Sequence, residues 1–296
     1  MAALNMSTPH TSQTAPQKLR HLLSDPSHTV VAPGVYDGIS ARLALAQNFE
    51  CLYMTGAGTA MSRLGMADLG LTTFTDMHQN AAMIASLGPS VPVIADADTG
   101  YGGPINVAHT VRGYARAGVA GLHIEDQVVW AFGWEAAGAR DDSGSGIVII
   151  ARTDARAGKD AEGNGGFDEA VLRLKMAAEI GVDALFFEAL QDQRECERAI
   201  AALPKVPVLL NMVPGGKTPI MTNADAKKLG FRIVIWPTAG LEAVVPALEN
   251  TYRALKEEDV VYTEGALGPG KLFEVCGLKD LMAFDESVGG KAYSGS

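Results

Sequence analysis

"GLHIEDQVVWAFGWEAAGARDDSGSGIVIIARTD" (121–154) decides the fold. It opens with a near-continuous apolar run, "GLHIED" (121–126), closed by adjacent acids, and ends in another, "IVIIARTD" (147–154). Between them there is room for one short helix, around "WEAAGARDD", and almost no loop before it. Runs that are apolar throughout suit strands covered on both faces, and helical crossovers join such strands in parallel sheets. The stretch predicts a βαβ unit with a very short connection after its first strand.

Working outward, six more runs of the same kind appear: "TVVAPGV" (29–35), "CLYMTG" (51–56), "VPVIADAD" (91–98), "ALFFEAL" (184–190), "VPVLLNM" (206–212) and "FRIVIWP" (231–237). Stretches with apolar spacing near 3.6 separate them, at Ser40–Ala46, Asp76–Ser86, Ile105–Ala117, Asp168–Ile180, Arg194–Ala202 and Asn223–Leu229. Eight βα units with no linker-like break predict an α/β fold of the (β/α)8 TIM type. A doubly wound open sheet is the alternative, but eight strands of this regularity close more naturally. After the last strand, "GLEAVVPALENTYRALKEED" reads as one long amphipathic helix, and "KLFEVCGLKDLMAF" as an additional C-terminal helix. Such an extra helix covers a barrel end or exchanges with a neighbouring subunit, which favours a homo-oligomer. The expected organisation is a disordered lead-in over 1–28 and one barrel domain with its helical extension over 29–296.

The chain has 296 residues, 47% of them apolar, enough for a large core. Its formal charge of −10 argues against nucleic-acid or anionic-membrane partners, which need a basic face. The three cysteines, Cys51, Cys196 and Cys276, are too few and scattered for a disulfide framework or a metal knuckle. No apolar run reaches the ~18 residues needed to span a bilayer. The amino-terminal stretch has neither the apolar segment of a secretory signal nor the arginines of a mitochondrial presequence, so the expected compartment is the cytoplasm.

Barrel chemistry sits at the carboxyl ends of the strands. "YMTGAGTA" ends the second strand in small residues whose amides could approach an anion. The third ends in Asp96 and Asp98, which share a face, and the fourth in His123 and Glu125 on one face with Asp126 on the other. Later strands contribute Arg152 and Asp154, Glu188, Asn211, and finally Trp236 and Pro237. Taken singly, Asp126 or Asp154 could cap a helix, and His123 or Cys51 could simply pack in the core. Together, Asp96, Asp98 and Glu125 form a hard, oxygen-only set of carboxylates that repel one another unless a cation or protons intervene. That set suits Mg²⁺ or Mn²⁺ and disfavours zinc. Arg152 offers a fork for a carboxylate, and Asn211 a neutral donor and acceptor. The composite fits a small dicarboxylate or 2-oxo acid, with enolate stabilisation and C–C cleavage as its natural chemistry.

These residues lie in "APGVYDGISARLA", "YMTGAGTAMSRLGMADLGLTT", "VIADADTGYGG", "AGVAGLHIEDQ", "IARTDA" and "LLNMV". In that order they resemble the isocitrate lyase/phosphoenolpyruvate mutase superfamily over about Val30 to Gly290. They look in particular like the fungal 2,3-dimethylmalate lyase and oxaloacetate acetylhydrolase group, with 2-methylisocitrate lyase nearby. The resemblance implies a Mg²⁺- or Mn²⁺-dependent barrel, a homotetramer with C-terminal helices swapped between subunits. It assigns Asp96, Asp98 and Glu125 to the metal and Tyr53, Thr55, Gly56 and Ala57 to a substrate carboxylate. Arg152, Glu188 and Asn211 would bind and orient the rest of the substrate. Acetylhydrolase members tend to place a serine where Pro237 stands, which leans the expectation away from oxaloacetate.

The chain also departs from that family. Lyase members follow "HIEDQ" with a mobile gating loop carrying Lys-Lys/Arg-Cys-Gly-His, whose cysteine is the catalytic acid/base. Here "HIEDQ" runs into "VVWAFGWEAAGARDDSGSG", which holds neither the motif nor space for the loop. The mutase and phosphonopyruvate hydrolase branches lack the cysteine but keep a long polar loop, also absent. Either a coding segment has been lost between codons 127 and 147, or activity is impaired or altered. If turnover persists, His123 is the first residue expected to act as the acid. The competing expectations are a dicarboxylate-binding barrel without catalysis and, from the resemblance, an oxaloacetate- or phosphonopyruvate-type hydrolase.

Overall fold

The computed structural model describes residues 13–126, 132–159, 163, 165–261 and 265–290. Eight parallel strands close into a barrel in sequence order: β1 Val30–Val35, β2 Leu52–Met54, β3 Val93–Asp96, β4 Gly121–Asp126, β5 Val148–Thr153, β6 Ala184–Phe187, β7 Val208–Asn211 and β8 Ile233–Trp236. β8 returns to β1 with Val30 opposite Ile233 and Pro33 opposite Trp236. Each expected strand is present, and the open-sheet alternative is excluded.

The helices are α1 Ala15–Ser24, α2 Gly38–Ala46, α3 Gly56–Thr59, α4 Phe74–Leu87, α5 Pro104–Arg116, α6 Phe132–Ser143, α7 Phe167–Glu179, α8 Gln193–Ala202, α9 Asn223–Leu229, α10 Ala239–Glu258, α11 Gly268–Val275 and α12 Leu278–Ser287. A π-helical turn, Ala60–Leu64, continues α3. Among the described residues no helix is long and apolar enough to cross a membrane.

Two apolar clusters follow from the two faces of the strands. One joins strands to the surrounding helices through residues such as Leu52, Val93, Leu122, Ile149 and Leu185. The other fills the barrel interior with Val30, Ala32, Tyr53, Ile94, Ile150, Phe186, Leu209 and Ile235. Side chains alternate along a strand, so the inward parity fixed by these residues carries on to the strand ends. It aims Asp96, Glu125, Arg152, Glu188 and Asn211 inward. The opposite parity sends Asp126 outward, where it accepts from Thr153 Oγ1, the Asp154 amide and Arg173.

Two expectations need correction. The lead-in over residues 1–28 is not disordered throughout, because it contains α1. Thr14 and Gln17 form a capping box there, and proline occupies the first turn. Leu19 and Leu23 are buried in the interior cluster, so α1 closes the amino end of the barrel. Arg20 fastens it by bonding the carbonyls of Gly146 and Ile147 and the carboxylate of Asp183. Leu19→Ala should therefore cost about 2–5 kcal/mol, measured by denaturant unfolding, as expected for truncating a fully buried leucine. The second correction lies at the carboxyl end, where the expected single helix is two. They break at Gly277, whose φ of 86° is open to glycine but strained for other residues.

Candidate active site

A cavity of about 370 Å³ opens at the carboxyl end of the barrel, lined by Gly56, Asp68, Leu69, Gly70, Thr72, Met77, Asp96, Asp98, Glu125 and Arg152. Four carboxyls face one guanidinium in this lining. Asp96, His123 and Glu125, all buried, each offer a ligand atom within 4.8 Å of the others. Asp98 lines the same cavity but stands outside that group of three. Its φ of 48° is left-handed, its amide donates to Asp96 Oδ1 at 2.8 Å, and its carbonyl accepts from the Glu125 amide at 3.0 Å. Asp98 thus ties the ends of β3 and β4 together with its backbone.

The floor is a hydrogen-bonded pair. Tyr53 Oη lies 2.8 Å from His123 Nε2 and 3.4 Å from Asp96 Oδ2. His123 is fully enclosed, edge-on to Phe186, and its Nδ1 has no hydrogen-bond partner among the described residues. Burial lowers its pKa, so it is a neutral imidazole at neutral pH. Burial also raises the Tyr53 hydroxyl far above its ordinary range, with Asp96 adding to the rise.

Thr55 is buried, and its hydroxyl caps α3 by accepting from the Gly58 amide. Ala57 follows within α3, half-buried. The Gly56 amide donates to Asp96 Oδ2 at 3.1 Å, so the turn after β2 steadies a carboxylate of the chain itself. A Cβ on Gly56 would meet Asp96 Cγ at 2.8 Å and its Oδ2 closer still. Gly56→Ala should displace Asp96 and remove any Mg²⁺- or Mn²⁺-dependent rise in melting temperature, while far-UV circular dichroism stays unchanged. A rise of wild-type size in that variant would show that Asp96 does not need this approach.

Arg152 is held on two sides. Its Nη1 lies 2.8 Å from Glu125 Oε2, and Nε and Nη2 fork onto Asp154 at 2.7 and 2.9 Å. The guanidinium also sits 5.0 Å over the Phe186 ring. Burial pushes Glu125 up to about 9 against the opposing pull of Arg152, with Asp96 adding a further rise. Beyond Arg152 lies a second cavity of about 310 Å³, shared by Asp154, Glu188, Asn211, Gly216, Lys217 and Thr218. Asn211 Nδ2 donates to Glu188 Oε2 at 3.0 Å, and its buried Oδ1 has no partner among the described residues.

All the site residues expected from sequence border this strand-end region, but their partners differ from expectation. Asp154, expected at its strand end without an assigned role, braces Arg152. One residue was missed. Asp68 reaches the first cavity from the segment after the π-helical turn, and its pKa is raised by burial and by Asp96 and Asp98. A lone acid in the apolar run "LGMADLGL" was the available signal. Cys51 and Cys196 are buried in the apolar clusters, with burial pushing their thiols up to about 12 and about 11. Cys276 ends α11. From Asp126 at the end of β4 to Phe132 at the start of α6 the chain has only residues 127–131, which lie outside the described residues, as does Trp130.

The geometry has matches among known proteins. The phosphoenolpyruvate phosphomutase family model matches residues 19–256. The chain is 39% identical to 2,3-dimethylmalate lyase of Eubacterium barkeri over 286 residues, covering 91% of this chain and 94% of that protein. It is 38% identical to 2-methylisocitrate lyase of Aeropyrum pernix over 288 residues, covering 89% and 88%. The solved structure of oxaloacetate acetylhydrolase in complex with its product oxalate superposes with a TM-score of 0.89 at 43% identity, covering 94% of this chain and 99% of that one. The chain belongs to the phosphoenolpyruvate mutase/isocitrate lyase superfamily.

Proposed function

We propose that the chain is a Mg²⁺- or Mn²⁺-dependent carbon–carbon lyase for a 2-hydroxy or 2-oxo dicarboxylate, of the 2-alkylmalate or methylisocitrate kind. The observation that carries this reading is the Asp96, His123 and Glu125 group at the barrel mouth beside Arg152. The donor set fits a hard dication. Asp96, Glu125 and Asp98 supply oxygens, the excess of carboxyls over Arg152 calls for positive charge, and only one imidazole is at hand, with its Nε2 already bonded to Tyr53. A dication there supplies Lewis-acid polarisation of a carbonyl or hydroxyl oxygen.

The remaining work falls to the chain. Arg152 can exchange Glu125 or Asp154 for a substrate carboxylate without losing its charge partner. Gly56, Tyr53 and His123 keep Asp96 in place. Glu188, steadied by Asn211, stands where it can take a proton from the substrate hydroxyl as the C–C bond breaks. The departing carbanion equivalent then needs a proton. Neutral His123 is enclosed in the floor, and neither cavity has a cysteine in its lining. Water must deliver that proton, which should slow turnover by about 10²–10⁴-fold relative to a site with a placed acid.

The short β4–α6 connection favours a second reading, a dicarboxylate-binding barrel without turnover. Incubation with 2,3-dimethylmalate, 2-methylisocitrate and oxaloacetate in the presence of Mg²⁺ or Mn²⁺ separates the two. Slow cleavage of an alkylmalate or methylisocitrate supports the lyase. Oxalate binding with no cleavage of any of the three supports the second reading. Pro237 at the end of β8 makes oxaloacetate the least favoured of the three.

The proposal extends to assembly. α10, α11 and α12 bury none of their residues in the single chain and expose Leu248, Tyr252, Phe273, Leu281 and Phe284, the pattern of a subunit contact. Light scattering should report a homo-oligomer.

A further inference from the structure

We propose that Lys217 selects for the second carboxylate of the substrate, making the cavity beyond Arg152 a dicarboxylate-length gauge. This deepens the lyase reading and rests on it. Arg152 lines both cavities. A ligand whose first carboxylate occupies the Asp96 side therefore extends past Arg152 into the space of Glu188, Asn211 and Lys217.

That space is chemically lopsided without Lys217. Its charged lining residues are Arg152 and Lys217 against Asp154 and Glu188. Formal charges cancel with the lysine and leave one net negative charge without it, which repels a second carboxylate. Arg152 alone does not offset this, because a carboxylate bound there displaces Asp154, whose charge stays in the same cavity. Lys217, by contrast, is exposed at the rim and makes no ion pair among the described residues. Its backbone is anchored by its neighbour Thr218, which is buried. The acceptor side is also unfinished, since the buried Asn211 Oδ1 has no donor among the described residues. A substrate hydroxyl would complete it. The cavity thus offers one acceptor for a hydroxyl and one cation for a carboxylate, the two groups a 2-hydroxy dicarboxylate presents beyond its first carboxylate.

The test compares two acids on the full-length chain with Mg²⁺ by isothermal titration calorimetry. Oxalate ends at Arg152, whereas malate adds a hydroxyl and a more distant carboxylate. Lys217→Ala should weaken malate roughly tenfold and leave oxalate within about twofold, and Lys217→Arg should restore malate binding to near the wild-type level. Added salt should shrink the difference. Unchanged malate affinity in Lys217→Ala would overturn the inference, and so would an equal loss for both acids, which would place the lysine's influence on the whole site. If wild type binds neither acid, the lyase reading fails and this inference falls with it. Binding of both acids by wild type leaves the gauge alone on trial.

Discussion

Arg152→Met abolishes oxalate binding and destabilises the fold by about 3–5 kcal/mol at neutral pH. The second effect follows from the partners rather than from the arginine alone. Glu125 lies 2.8 Å away, and Asp154 is gripped through two nitrogens. Removing the guanidinium leaves the Asp154 carboxylate without the cation that grips it, and breaking a largely buried pair from one side typically costs this much. Methionine keeps the length of the side chain and its packing on Phe186, so the loss is electrostatic. Denaturant unfolding and an oxalate titration at neutral pH measure the two effects. A variant as stable as wild type would mean that Arg152 and Asp154 do not act as an ion pair.

Metal affinity should rise with pH by up to about tenfold per unit between pH 6 and 9. Burial raises Glu125 to about 9, so in the metal-free protein it keeps its proton at neutrality. A ligating carboxylate must be ionised, so binding releases that proton. The sign for stability is fixed by the same shift. A folded-state pKa above the unfolded value means that the folded protein holds its proton more tightly. This stabilising contribution is full below the unfolded value of 4.5 and is lost as pH rises toward 9. Mg²⁺ or Mn²⁺ should restore stability in that window, and the metal-dependent rise in melting temperature should grow from pH 6 to 9. Glu125→Gln should flatten the pH dependence, and Asp98→Ala should abolish the rise. A metal effect independent of pH would show that Glu125 gives up no proton on binding.

The barrel was legible because each strand is a compact apolar run, and only strands covered on both faces keep that character without alternation. The strand-end acids were legible for the same reason, since period-two spacing assigns Asp96 and Glu125 one parity and Asp126 the other. What sequence could not give was pairing. Arg152 reads as a cation open to substrate until β4 and β5 set Glu125 opposite it. Asp98 reads as an equal of Asp96, but its left-handed backbone sets it apart, and His123 takes the third place in the close group. α1 was missed because its apolar residues, Leu19, Leu22 and Leu23, span a single turn and their partners are distant in sequence. The break at Gly277 was hidden in a spacing that one continuous helix would also satisfy.

The plug formed by α1 sets the order in which the molecule can be completed. Its partners precede β5 and β6, at Gly146, Ile147 and Asp183, and Arg232, just ahead of β8, bonds the carbonyls of Leu23, Asp25 and His28. During synthesis α1 leaves the ribosome first, yet it finds its last tether only when the final strand has emerged. Until then its leucines and the inner layer of the unfinished sheet stay exposed together. Closure is therefore a late step of biogenesis, and a ribosome stalled before residue 232 should carry a protease-sensitive chain that becomes resistant only after synthesis resumes and β8 has emerged.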